Sequence, residues 1–137
     1  MNLSAFSIVP AMKRILVVDD DQAICALMAD ILQAEGWSVT TARNGVDALA
    51  KMRANTQDLV LLDLTMPVLD GWAVLAERQA DTTLSDVPVL AMSAGGNGGL
   101  DRAKALGATD CMPKPFDLDA VLTALESLRR PGPVVQS

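Results

Sequence analysis

Short apolar runs typical of β-strands alternate along this chain with segments of helical periodicity, and this alternation constrains the fold more than any other feature. The strand-like runs lie at residues 15–18, 38–42, 59–62, 87–92 and 109–112. Each holds four to six residues, which suits a strand better than a helix. Strand–helix alternation predicts a parallel sheet with helices on both faces and right-handed crossovers.

Helix start and stop signals separate these strands. Apolar residues after the first strand recur at spacings of three and four, and Gly36 follows as a stop signal. Asn44, Asp70 and Asp117 stand where they could cap the second, third and fifth helices. The fourth helix, at about residues 99–106, is mostly alanine and has the least distinct pattern.

The composition of the strands predicts their order in the sheet. The first, third and fourth runs are continuously apolar, as in strands covered on both faces, whereas the second alternates and suits an edge. We therefore predict an α/β domain of flavodoxin-like (βα)5 type with strand order 2-1-3-4-5. It would span residues 13–128, with residues 1–12 as a leader and residues 129–137 as a tail or the start of a linker.

Composition excludes several classes of function. Half of the 137 residues are apolar, enough for one core without disulfides, and the net charge of −6 argues against direct nucleic-acid binding or a polybasic membrane anchor. No apolar run is long enough to span a bilayer, and the first residues do not resemble a signal peptide. The lone Cys25 and Cys111 suggest buried thiols in a reducing cytoplasm. The absence of histidine excludes histidine-based catalysis and an internal phosphohistidine.

Acidic, hydroxyl and basic residues follow the first, third, fourth and fifth predicted strands. Asp19 and Asp20 follow the first, Asp63 the third and Ser93 the fourth, and Lys114 lies just beyond the fifth. In an open parallel sheet, function gathers beyond the carboxyl ends of the strands. We therefore expect three carboxylates, a hydroxyl and an ammonium group around one crevice. Neighbouring Asp21 is expected to serve only as a charge at the start of a helix.

These groups suit phosphoryl chemistry on a carboxylate. Clustered carboxylates repel one another, and Mg²⁺ suits an all-oxygen site of this kind. A carboxylate that attacks phosphorus forms an aspartyl phosphate, and the developing charge would be stabilised by Mg²⁺, Lys114 and Ser93.

In their order and spacing these residues resemble the receiver domain of two-component response regulators, over about residues 13–128. The resemblance is carried by ILVVDDD, LVLLDLTMP, the Asp-Gly pair at 70–71, VPVLAMSA and KPF. It implies that Asp63 is phosphorylated and that Asp19, Asp20, Asp63 and the backbone carbonyl of Thr65 ligate Mg²⁺, with Mn²⁺ as a possible substitute.

The resemblance also implies a switch at the phosphoryl group, from which this chain departs. Ser93 and Lys114 would contact the phosphoryl oxygens. Many family members carry Tyr or Phe at the position of Cys111, so we expect the output change to pass mainly through the loop at 94–99 and the fourth helix. Thr65 and the small Gly95 should leave the phosphoryl group open to water and tune its lifetime, so a bulky residue at position 95 should lengthen it.

Three kinds of function remain open at this stage. The first is a stand-alone phosphoacceptor resembling chemotaxis receivers, which has no enzyme activity beyond self-catalysed phosphotransfer and slow autodephosphorylation. A sensor histidine kinase or histidine phosphotransfer protein would be the donor, and the output would be binding to a separate partner or passage of phosphate along a relay. It would act as a monomer or a phosphorylation-dependent dimer.

The alternatives use the same fold differently. A receiver that is never phosphorylated could act only as a protein-binding module. A phosphatase of the haloacid dehalogenase type would need a second aspartate two residues after Asp63, where the chain has Thr65. The sequence also permits the chain to be an N-terminal piece of a longer regulator.

Overall fold

The computed structural model describes residues 13–93, 97–114 and 117–128, in which five strands and five helices alternate. The strands are β1 (Lys13–Val18), β2 (Trp37–Ala42), β3 (Leu59–Asp63), β4 (Val89–Ser93) and β5 (Asp110–Pro113). The helices are α1 (Gln22–Ala34), α2 (Gly45–Ala54), α3 (Gly71–Ala80), α4 (Asn97–Ala105) and α5 (Leu118–Leu128). None of these helices has the length and apolar character needed to cross a membrane.

The strands form one parallel sheet in the order β2-β1-β3-β4-β5, which confirms the predicted flavodoxin-like (βα)5 fold. Strands β3 and β4 are buried along their whole length, whereas β2 lies at an edge and is only partly covered. Strand β4 begins at Val89 and not at Val87, because Pro88 has no N–H to donate to the ladder.

Alternate residues of the central strands pack into two separate cores, one on each face of the sheet. From β1, Leu16 and Val18 contribute to the core beneath α2 and α3. Ile15 and Val17 contribute to the opposite core, beneath α1 and α5. All four are fully buried, and each such side chain contributes about 1.5–3 kcal/mol through its burial. The two cores hold the sheet rigid between its helical layers.

Polar side chains begin four of the helices, each through a backbone N–H two or three residues further along. The predicted caps Asn44, Asp70 and Asp117 accept these bonds at 2.8, 3.0 and 3.0 Å. Asp21, expected only as a helix-terminal charge, also caps α1, because its Oδ1 accepts two backbone N–H groups at 2.9 and 3.2 Å. These caps fix where each helix leaves the carboxyl edge of the sheet.

Gly71 lets the start of α3 lie directly against the end of β3. A Cβ atom at Gly71 would lie 2.5 Å from the carbonyl oxygen of Asp63 and 2.6 Å from Cα of Leu64. The Gly71 N–H also donates to the Leu64 carbonyl oxygen at 3.1 Å. Because the opposing atoms are backbone, they cannot turn aside, and only glycine permits this approach.

We expect Gly71→Ala to destabilise the fold by about 1–3 kcal/mol, the usual cost of overpacking. Helix propensity alone predicts the opposite sign, since alanine is the better helix former by about 1 kcal/mol. Urea denaturation measures the difference. Ala76→Gly, on the exposed side of the same helix, gives the size of the propensity term. A Gly71→Ala protein more stable than the wild type would show that the approach to β3 is not a constraint.

Candidate functional site

Three carboxylates converge at the carboxyl ends of two neighbouring strands. Asp19 and Asp20 directly follow β1, and Asp63 is the last residue of β3, which pairs with β1. One oxygen atom from each lies within 4.8 Å of the others. Asp19 and Asp63 are buried, whereas Asp20 is exposed. Three oxygen donors with one side open to water suit Mg²⁺, which retains several of its waters when bound.

A single ammonium group lies between the two buried carboxylates. The Lys114 Nζ is 3.2 Å from Asp19 Oδ2 and 3.1 Å from Asp63 Oδ2. Lys114 follows β5, and its backbone N–H donates to the Ser93 carbonyl oxygen at 2.8 Å, which extends the ladder between β4 and β5. Strand β5 lies two strands from β3 in the sheet, and its end places this cation at the site.

The backbone and side chain of Asp19 are held from three directions. Its N–H donates to the Ala42 carbonyl oxygen at 3.0 Å, and its Oδ1 accepts from the Asp21 N–H at 2.9 Å. The Cys25 thiol donates to its carbonyl oxygen at 3.2 Å. Burial raises the pKa of Cys25, and the nearby Asp19 charge adds to this, so the thiol remains protonated as a donor. The sequence indicated only a buried thiol here.

Burial raises the pKa of Asp63 above its ordinary value. The Thr65 N–H, which donates to Asp63 Oδ1 at 3.1 Å, and the Lys114 ammonium group both oppose this shift, and the charge of Asp19 adds to it. Desolvation outweighs the ion pair, so the ionised carboxylate is less favourable here than in water. A cation bound beside it would restore the balance.

The ammonium group of Lys114 responds in the opposite sense. Burial alone would lower its pKa, but its contacts with Asp63 and Asp19 outweigh burial and raise the pKa. The side chain therefore stays charged at neutral pH. Because both carboxylates share this one cation, the described site keeps an excess of negative charge.

The remaining predicted site residues differ in their burial and in their position on the sheet. Ser93 is buried at the end of β4, and its neighbour Met92 pairs with Asp63 across the sheet. Thr65 is exposed directly after the cluster. Cys111 is half-buried on β5, and its thiol donates to a carbonyl oxygen of α4 at 3.5 Å. Gly95 falls outside the described residues, with Ala94 and Gly96. The other half of the predicted loop, residues 97–99, is not a loop but the start of α4.

Comparison with known proteins shows which family of proteins this chain is similar to. The family described as the response regulator receiver domain matches residues 15–126. The chain is 39% identical over 121 residues to a protein of Haemophilus influenzae named transcriptional regulatory protein CpxR homolog, covering 87% of this chain and 51% of that protein. It is 41% identical over 122 residues to the response regulator MprA of Mycobacterium sp. (strain KMS), covering 85% and 50%. The chain thus spans about half the length of these relatives.

Solved structures of receivers share the whole fold. Chemotaxis protein CheY4 of Vibrio cholerae matches with a TM-score of 0.80 at 30% identity, over 86% of this chain and 99% of that one. The receiver domain of Francisella response regulator 1452 matches with a TM-score of 0.79 at 27% identity, over 85% and 95%. The protein described here belongs to the response regulator receiver domain family.

Proposed function

We propose that this protein is a phosphoacceptor whose Asp63 takes a phosphoryl group from a phosphohistidine of a sensor histidine kinase or histidine phosphotransfer protein. The observation that supports this most is the position of Lys114 Nζ, 3.2 Å from Asp19 Oδ2 and 3.1 Å from Asp63 Oδ2. Lys114 already compensates two buried carboxylates. The site can therefore accept the further negative charge of a phosphoryl group only if another cation binds there. These 137 residues contain no histidine, so the phosphohistidine lies outside them.

The residues of the site divide the work of the transfer. An Asp63 carboxylate oxygen attacks phosphorus, the bond from phosphorus to the donor imidazole breaks, and the imidazole leaves. Lys114 and the Ser93 hydroxyl donate to the phosphoryl oxygens as charge develops on them. Asp19, Asp20, Asp63 and the backbone carbonyl of Thr65 would hold Mg²⁺, or Mn²⁺ in its place. When bound, the metal neutralises part of the charge shared by carboxylate and phosphoryl group.

Thr65 and Gly95 would control how long the phosphoryl group survives. Thr65 is exposed beside the site, so it leaves a path for water. We assign slow autodephosphorylation to this access, and a larger residue at either position should lengthen the lifetime of the aspartyl phosphate.

The output belongs to this proposal as well. Residues 13–128 would act as a signalling domain and not as a classical enzyme, with residues 1–12 and 129–137 as flanking segments. Phosphorylation would change binding to a separate protein, or phosphate would pass along a relay, without direct contact with nucleic acid or membrane. The protein would be a monomer or a phosphorylation-dependent dimer in the cytoplasm, where the free thiols Cys25 and Cys111 persist. One relative is named a transcriptional regulator, but because the chain covers about half of it, that role is not transferred here.

Incubation with Mg²⁺ and acetyl phosphate tests the central step. We expect intact mass to show the gain of one phosphoryl group, and Asp63→Asn to prevent it. Asp101→Asn, which removes an exposed carboxylate from α4, is the matched control and should be phosphorylated as the wild type is. Failure of the wild-type protein to gain a phosphoryl group would favour the alternative, a silent receiver that acts only as a binding module.

Lys114→Met should lower the initial rate of phosphorylation by about 10²-fold, the usual effect of removing one positioned donor from a transition state. Quench-flow followed by mass spectrometry measures this rate. Lys104→Met removes an exposed cation of α4 and is the control for net charge. Equal rates in the two variants would mean that Lys114 does not act on the phosphoryl group.

Asp63→Asn should stabilise the metal-free protein at neutral pH, by an amount on the order of 1 kcal/mol. The folded pKa of Asp63 is raised above 3.8, so stability from the protonated carboxyl is complete below about pH 3.8 and is lost as pH rises through the folded value. The uncharged amide escapes this loss. Urea denaturation in chelator across the pH range should therefore show an advantage that grows with pH. An advantage that is constant with pH, or as large in Asp101→Asn, would contradict this account.

A further inference from the structure

The first turn of α4 lies directly on the side chain of Ser93. A Cβ atom at Gly99 would be 2.9 Å from Ser93 Oγ and 3.7 Å from Ser93 Cβ. It would also be 4.0 Å from Cη2 of Trp72. The hydroxyl assigned to the phosphoryl group, the backbone of α4 and the edge of an indole ring therefore meet at one point.

A second contact joins the same two helices one turn further along. The Arg102 guanidinium carbon lies 4.3 Å from the centre of the Trp72 ring, which is cation–π geometry. Gly99 and Arg102 are three residues apart and share one face of α4. This face of α4 therefore contacts Ser93 at Gly99 and Trp72 at Arg102.

Trp72 is itself anchored to the end of β3. It follows Gly71, whose close approach to the Asp63 carbonyl oxygen and Leu64 sets where α3 begins. Helix α4 is therefore linked to the phosphoacceptor strand through Trp72, and to the phosphoryl-binding hydroxyl through Gly99.

We propose that Trp72 and Arg102 are positioning residues that couple the Ser93 hydroxyl to helix α4. The stack stabilises the arrangement in which Ser93 Oγ lies beneath Gly99, against one in which Ser93 turns toward a phosphoryl group on Asp63. When the hydroxyl turns, the space beneath Gly99 opens, the first turn of α4 moves into it, and Arg102 leaves the ring. This inference rests on the proposed function.

The half-buried Cys111 of β5 also contacts α4. Its thiol donates to the Leu100 carbonyl oxygen at 3.5 Å, and β5 holds no aromatic residue that could contact α4. Trp72 approaches the same helix from α3, on the side of Ser93, and supplies the ring from there.

Fluorescence of Trp72 during titration with beryllofluoride and Mg²⁺, a phosphoryl mimic, tests this coupling. Trp37 is the only other tryptophan and is buried, so Trp37→Phe gives a protein in which Trp72 is the sole reporter. We expect a saturable change in its emission, which Asp63→Asn abolishes. Arg102→Met should tighten beryllofluoride binding by about two- to fivefold, the scale of an exposed cation–π contact.

Two further variants separate coupling from charge and from general stability. Lys104→Met removes a cation from the same helix without touching Trp72, and should leave the affinity unchanged. Gly99→Ala places a methyl group against Ser93 Oγ, which can rotate away, so it should also tighten binding. Arg102→Lys keeps the charge with a poorer stack and should fall between Arg102→Met and the wild type.

The possible results separate the coupling through Trp72 from the phosphoacceptor function on which it rests. If the protein gains a phosphoryl group from acetyl phosphate but Trp72 emission does not respond to beryllofluoride, the coupling is wrong and the function stands. Weaker or unchanged beryllofluoride binding in Arg102→Met also overturns the coupling. If no phosphoryl group is gained, both proposals fall together.

Discussion

One ammonium group compensates two buried carboxylates, and the rest of the site depends on that imbalance. Lys114 contacts both Asp19 and Asp63, which are almost fully buried, while Asp20 adds a third carboxylate at the surface. Burial outweighs the ion pair at Asp63, so its negative charge is tolerated without being fully satisfied. A site in this condition gains from any additional cation.

The fold brings these charged groups together through the ends of its strands and the starts of its helices. Parallel strands end at a common edge, so residues far apart in the chain, such as Asp19 and Lys114, become neighbours without a long loop. Helix caps and the contact of Gly71 with β3 then fix how each connection leaves that edge. The geometry of the acidic cluster and Lys114 is therefore set by the strand ends, which the two cores hold in place.

The sheet order, three of the four helix caps and the convergence of the acidic residues were predictable from the sequence, because each depends on a local pattern. Apolar runs mark strands, and Asn44 and Asp70 mark helix starts wherever they lie in the fold. The strand at 87–92 was placed two residues too early, because its apolar residues include Pro88, whose missing N–H matters only once pairing is known.

Contacts that depend on how the helices pack against the rest of the fold could not be predicted in this way. The Cys25 thiol bonded to Asp19, and Arg102 stacked on Trp72, depend on how helices pack. The same holds for Arg78, a buried cation whose Nε donates to the Val87 carbonyl oxygen at 2.9 Å and whose Nη1 donates to that of Gly107 at 3.1 Å. The residues next to Arg78 in the sequence do not indicate that it is buried, because its partners are backbone carbonyl groups, which every residue carries.

The bond between the Lys114 N–H and the Ser93 carbonyl oxygen couples the positions of two groups of the site. This hydrogen bond joins the backbone of the residue that carries the hydroxyl to that of the residue that carries the ammonium group. A change in the backbone at the end of β4 or β5 therefore displaces both groups together. The positions of the hydroxyl and of the ammonium group are therefore set together by one backbone contact, and neither can be shifted along its strand without the other.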